Sequence, residues 1–112
     1  MTVEEFRQLA LSFPDAVEQA HMNHPDFRVG GRIFATLGYP QGDWAMVKLP
    51  PEQQANFVGA LPDAFVPVKG AWGRQGCTNV ILEAAKKTMV KKALAEAWGA
   101  ASAKAKAKAK KK

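Results

Sequence analysis

The chain has little cysteine, no long apolar run and, at its C-terminal end, no acid. A single cysteine, Cys77, excludes an intrachain disulfide and agrees with a reducing compartment. No apolar run approaches the roughly 18 residues needed to span a membrane. The opening residues, Met1-Thr-Val-Glu-Glu5, are acidic and mixed where a signal peptide is basic and then apolar. The expected location is therefore the cytoplasm, with no membrane partner. A Ser-His-Asp set, a paired-carboxylate motif and a metal quartet are also missing. Those absences predict a protein that is not an enzyme and that carries no cofactor and no metal.

What is present fits one domain. The chain has 112 residues and is 47% hydrophobic, enough for one two-layer core. Thr2 and Glu5 have capping-box spacing, and Val3, Phe6, Leu9, Ala10 and Phe13 recur at helical intervals. These predict a helix over about Thr2–Phe13, stopped by Pro14-Asp15. The period then changes. Ala16–Met22, Phe27–Val29, Arg32–Leu37 and Trp44–Leu49 read as strands, with Gly30-Gly31 as a two-residue hairpin turn. Pro50-Pro51-Glu52 opens a short helix to about Ala60. Phe65–Val68 is extended, and Gly70, Gly73 and Gly76 punctuate a loop around Trp72. Cys77–Leu82 is a last strand, and about Lys86–Trp98 is a final helix with Met89, Val90, Ala93, Leu94, Ala97 and Trp98 as its apolar stripe. The predicted fold is α+β and two-layered, an antiparallel sheet of about five to six strands with the N- and C-terminal helices packed on one face.

The charge is distributed unevenly. The net charge is +6, and the six lysines of residues 103–112 (Lys104, Lys106, Lys108, Lys110, Lys111 and Lys112) account for all of it. Residues 1–102 hold ten basic and ten acidic residues. Alternating Ala and Lys defines no apolar face, and about ten residues are too few for a stable isolated helix. The expected division is a folded domain over residues 1–101 and a disordered basic tail over residues 102–112. Within the domain, residues 1–68 carry four basic against eight acidic residues, a net of −4. Residues 69–102 carry six against two, a net of +4. Lys69, Arg74, Lys86, Lys87, Lys91 and Lys92 supply that positive end. They read either as the solvated face of a terminal helix or as a phosphate-facing patch continuous with the tail.

Several stretches together resemble the MmcQ/YjbR family. They are Asp26-Phe-Arg-Val-Gly-Gly-Arg-Ile-Phe-Ala-Thr-Leu37, then Gly70-Ala-Trp-Gly-Arg-Gln-Gly-Cys-Thr78 followed by Val80 and Leu82, and Ala93-Leu94 with Ala97-Trp98. The opening helix with Leu9 and Phe13-Pro14 fits the same pattern. The resemblance covers essentially residues 3–99 and leaves out the lysine tail. It implies a frataxin-like (CyaY-like) fold and DNA binding through a winged surface, with no catalytic residues assigned; the chain is expected to be a monomer, with DNA or another polyanion as its partner. The family's more typical form has groups such as His-Trp-Asn before the last strand. Gly76-Cys-Thr-Asn79 stands there in this chain, so contacts assigned to those groups do not carry over.

His21 and His24 with Asp26 are read as a pair that stabilises the turn before Pro25, not as a metal site. The frataxin-like fold raises the question of iron, but Glu4, Glu5, Asp15 and Glu18, with Arg7 among them, are too thin a ridge for a hard cation. Cys77 reads as a buried structural thiol, and Trp44 and Trp98 as core. Trp72 either packs on the sheet or serves as a stacking platform for a base with Arg74 supplying charge. The expected function is DNA binding of low sequence specificity through the basic C-terminal face and the tail. The alternative is a module that recognises a small molecule or a protein, with an incidental solubilising tail.

Overall fold

The structure, a computed structural model, describes residues 1–38 and 41–110 apart from the side chains of residues 108–110. Its first helix, α1 (Val3–Leu11), begins at a capping box. Thr2 Oγ1 accepts the Glu5 backbone N–H at 3.0 Å, and Glu5 Oε1 accepts that of Thr2 at 2.8 Å, which satisfies two donors left open by a helix start. Phe6 and Ala10 are its buried face.

Two-residue turns then shape the sheet. Strands β1 (Val17–His21) and β2 (His24–Val29) join through Met22 and Asn23; β2 and β3 (Arg32–Leu37) join through Gly30 and Gly31. All four turn residues have positive φ, at 50°, 66°, 58° and 79°, the geometry that suits the twist of paired strands. The His21–His24 spacing is thus that of a tight hairpin, with the two histidines opposite each other. Between β2 and β3 the register slips: Phe27 faces Ala35 and Arg28 faces Ile33. Phe34 is the extra residue of this bulge, and it is fully buried together with Ala35.

The chain continues through β4 (Trp44–Lys48), α2 (Pro51–Ala60), β5 (Phe65–Pro67), the short helix α3 (Ala71–Arg74), β6 (Cys77–Ile81) and α4 (Lys87–Lys110). The six strands form one antiparallel sheet in the order β1-β2-β3-β4-β6-β5. In β4 the alternation is as expected, with Ala45, Val47 and then Leu49 buried and Trp44, Met46 and Lys48 half-buried. Helix α4 packs across β3, β2 and β4 and against α1. Its buried stripe is Val90, Ala93, Leu94, Ala97 and Ala101.

Three expectations are corrected. The glycine-rich segment around Trp72 is not a simple loop but contains α3. Trp44 and Trp98 are half-buried and not inside the core; Trp98 lies at its margin, stacks on Phe13 with ring centroids 6.0 Å apart, and donates its indole N–H to the Pro14 carbonyl at 3.0 Å. The final helix does not end near Trp98, and helical backbone takes the place of the expected irregular tail as far as Lys110. The physical reason is that nucleation, the costly step for an isolated Ala/Lys peptide, is already complete. Good helix formers extend a turn that packing has fixed, and Ala101 and Ser102 are still buried. Lys111 and Lys112 lie outside the described residues.

The extension has a contact of its own. A Cβ placed on Gly30 would lie 2.5 Å from Ala105 Cβ, so a residue without a side chain is needed where α4 crosses the hairpin. Gly31, also at positive φ, has open space around it. Gly30→Ala is therefore expected to destabilise the protein by about 2 kcal/mol, combining left-handed strain with overpacking, and Gly31→Ala by about 1 kcal/mol. In a variant ending at Ser102 the two substitutions should become equal. Urea or thermal unfolding checks this, and an unchanged gap after truncation would refute the contact.

Candidate anion-binding cleft

At one end of the sheet, the hairpin, the β4–α2 junction, α3 and the C-terminal half of α4 enclose a cleft of about 790 Å³. The hairpin brings Arg28 and Arg32, the end of β4 brings Lys48, and α4 brings Lys104. Ala97, Ala100 and Ala101 form the helix side, Trp72 and Gln75 the α3 side, and Cys77 of β6 also lines it. No Asp or Glu is among the lining residues.

The four cations are not equivalent. Arg28 is committed to Asp26: its Nε donates to Oδ1 at 2.8 Å and its Nη2 to Oδ2 at 3.0 Å. Asp26 is fully buried and also meets His21 Nδ1 at 2.7 Å. The Arg28 guanidinium, aided by His21, holds this carboxyl below the ordinary aspartate range against the opposing effect of burial. Arg32, Lys48 and Lys104 have no acidic partner among the described residues. Three cations thus share one cleft with no acid in its wall. Burial pushes the Cys77 thiol up, with the charge of Lys48 acting weakly the other way, so this lining cysteine is a poor nucleophile near neutral pH.

Trp72 stands on a braced support. A Cβ on Gly73 would run into the Val68 carbonyl, so α3 lies directly on the backbone leaving β5. From α2, Gln54 Nε2 donates to the carbonyls of Gly73 at 2.9 Å and Cys77 at 3.1 Å. Trp72 is 62% exposed, so the expected packing on the sheet does not bury it.

The residues expected to bind are only partly brought together. Trp72 and Lys104 line the cleft. Lys69, just before α3, and Arg74, at its end, are exposed and do not line the cleft. Lys86, Lys87, Lys91 and Lys92 are exposed in and just before the first turns of α4; the charge of Lys87 is felt by Glu5 of α1. Lys106 is exposed on α4, the side chains of Lys108 and Lys110 are not described, and Lys111 and Lys112 lie outside the described residues. Arg28, Arg32 and Lys48 were missed by sequence reasoning because they belong to the half of the chain with net charge −4. The one available signal was that Arg28 and Arg32 flank the Gly-Gly turn. Among the described residues no three His, Cys, Asp or Glu side chains come together, and no helix is long and apolar enough to cross a membrane.

The YjbR family model matches residues 11–100, and the chain belongs to the YjbR family. Its fold is similar to that of the Deinococcus radiodurans protein DR2400, described as a DUF419 domain. The TM-score is 0.71 over 87% of this chain and 75% of that one, at 19% sequence identity. No curated protein matches. The family match takes in Arg28, Arg32, Lys48 and Trp72 and ends before Lys104.

Asp26 gives the cleft a pH signature. Because its pKa is lowered in the folded state, its contribution is complete above the unfolded value of about 4 and is lost as pH falls through the folded value. Stability to urea should therefore drop below about pH 4. Asp26→Asn should cost about 2 kcal/mol at pH 7, less than a dry ion pair because Arg28 and His21 still touch water. It should also flatten the acid drop, and an unaltered acid profile in the variant would count against this role.

Proposed function

We propose that the protein binds nucleic acid through its phosphate backbone, with little sequence preference and without catalysing a reaction, and that the cleft is its phosphate site. The observation that carries this reading is the set of three cations, Arg32, Lys48 and Lys104, facing one cleft without an acid. Cations lining one cleft give it a positive potential that attracts an anion. Two of the three are lysines, which act as point charges and not as base-reading forks, and contacts to phosphates carry no sequence information, so affinity comes with little sequence reading. The remaining tail lysines add attraction of the same kind to DNA or another polyanion.

Lys104 joins the tail to the site, so a chain cut at Ser102 loses part of the cleft together with the tail. A variant ending at Ala107 keeps the cleft and removes Lys108, Lys110, Lys111 and Lys112. With three phosphates neutralised, its log–log dependence of duplex affinity on salt should have a slope of about −3. Arg32→Gln with Lys48→Gln in that background should weaken binding at least about tenfold at low salt and bring the slope to about −1. Fluorescence anisotropy against salt measures both. Equal binding by the two proteins would overturn the reading.

A further inference from the structure

We propose that the cleft takes a single-stranded segment, with one base stacked on the indole of Trp72 while a neighbouring phosphate lies against Arg32, Lys48 and Lys104. This rests on the phosphate reading of the same site. An exposed tryptophan alone needs no explanation. Here, however, the indole shares the cleft with three unpaired cations, and its helix is braced by Gln54 and by the close approach of Gly73 to Val68. An aromatic face beside a cationic groove is the arrangement that holds single strands, because every base offers a π-face and every linkage a phosphate.

A duplex does not meet both halves of the site. Its base faces are covered by stacking, and presenting one to Trp72 requires flipping the base out at a cost of a few kcal/mol. The cleft, at about 790 Å³, is within the size range of pockets that enclose one small ligand, so a duplex can offer it only outer phosphates. Sequence tolerance follows from the lining. Gln75 is its only side-chain amide, and the α4 side is made of Ala97, Ala100 and Ala101. DNA and RNA present the same base and phosphate to such a site.

The test uses the full chain with oligo-dT, oligo-rU, an abasic oligomer and a duplex of equal length, followed by anisotropy and tryptophan emission. Single strands should bind at least about tenfold tighter than duplex and quench emission, and the abasic strand should not quench. Trp72→Ala should weaken single-strand binding by about 5- to 150-fold, the range of one base stack, and leave duplex binding unchanged; Trp72→Phe should recover part of the loss. Comparable affinity for dT and rU places recognition in the base and phosphate, whereas a preference of more than about tenfold for one would overturn the shared-chemistry claim. If Trp72→Ala binds like the parent while Arg32→Gln with Lys48→Gln binds weakly, stacking is refuted and the phosphate site stands. If neither variant changes binding, the phosphate reading fails, and this proposal with it.

Discussion

The packing of small residues between α4 and the sheet is the contact on which the candidate site depends. Ala93, Ala97 and Ala101 are buried along the helix, so its backbone rides close to β3 and to the β2–β3 turn. A helix carrying larger residues there would stand further off and open the cleft on one side. The same closeness brings Ala105 onto Gly30 and delivers Lys104 to a wall otherwise built from the domain. One stretch of helix is thus both a core element and one side of the cleft.

Much of the architecture was legible because its signals are local. The Thr2–Glu5 box, the Gly30-Gly31 turn, the alternation of β4 and the α4 stripe are each written within a few residues, and each is observed. The turn at Met22-Asn23 was hidden, since methionine is not a turn residue by preference and only the pairing of β1 with β2 forces its positive φ. The length of α4 was missed for a related reason. Helix termination was judged from the Ala/Lys pattern alone, whereas propagation depends on the packed turns before it.

The site was less legible because charge was counted along the chain and acts in space. Arg28, Arg32 and Lys48 sit among eight acids in sequence, yet none of those acids lines the cleft, and the one nearest in function, Asp26, is buried behind Arg28. Conversely, Lys86 to Lys92 look continuous with the tail in sequence and lie just before and along the first turns of α4, away from the stretch that carries Lys104. Arg7, between Glu4 and Glu18, and Arg28, on Asp26, are the paired arginines of the same half of the chain; Arg32 and Lys48 differ from them in having no acid in reach among the described residues.

The strand order leaves the sheet with two unlike edges. β5 closes one edge of the sheet with three residues and ends at Pro67, which has no N–H to offer a neighbour. The other edge, β1, is five residues long, exposed throughout, and carries Glu18 as its single acid, so it is the edge along which strand addition meets least resistance. Against that stands the net charge of +6, which keeps molecules apart at low ionic strength and is screened within about 8 Å at physiological salt. Colloidal stability of this protein is thus tied to the ionic strength of its surroundings, and raising the salt weakens the repulsion that guards the β1 edge.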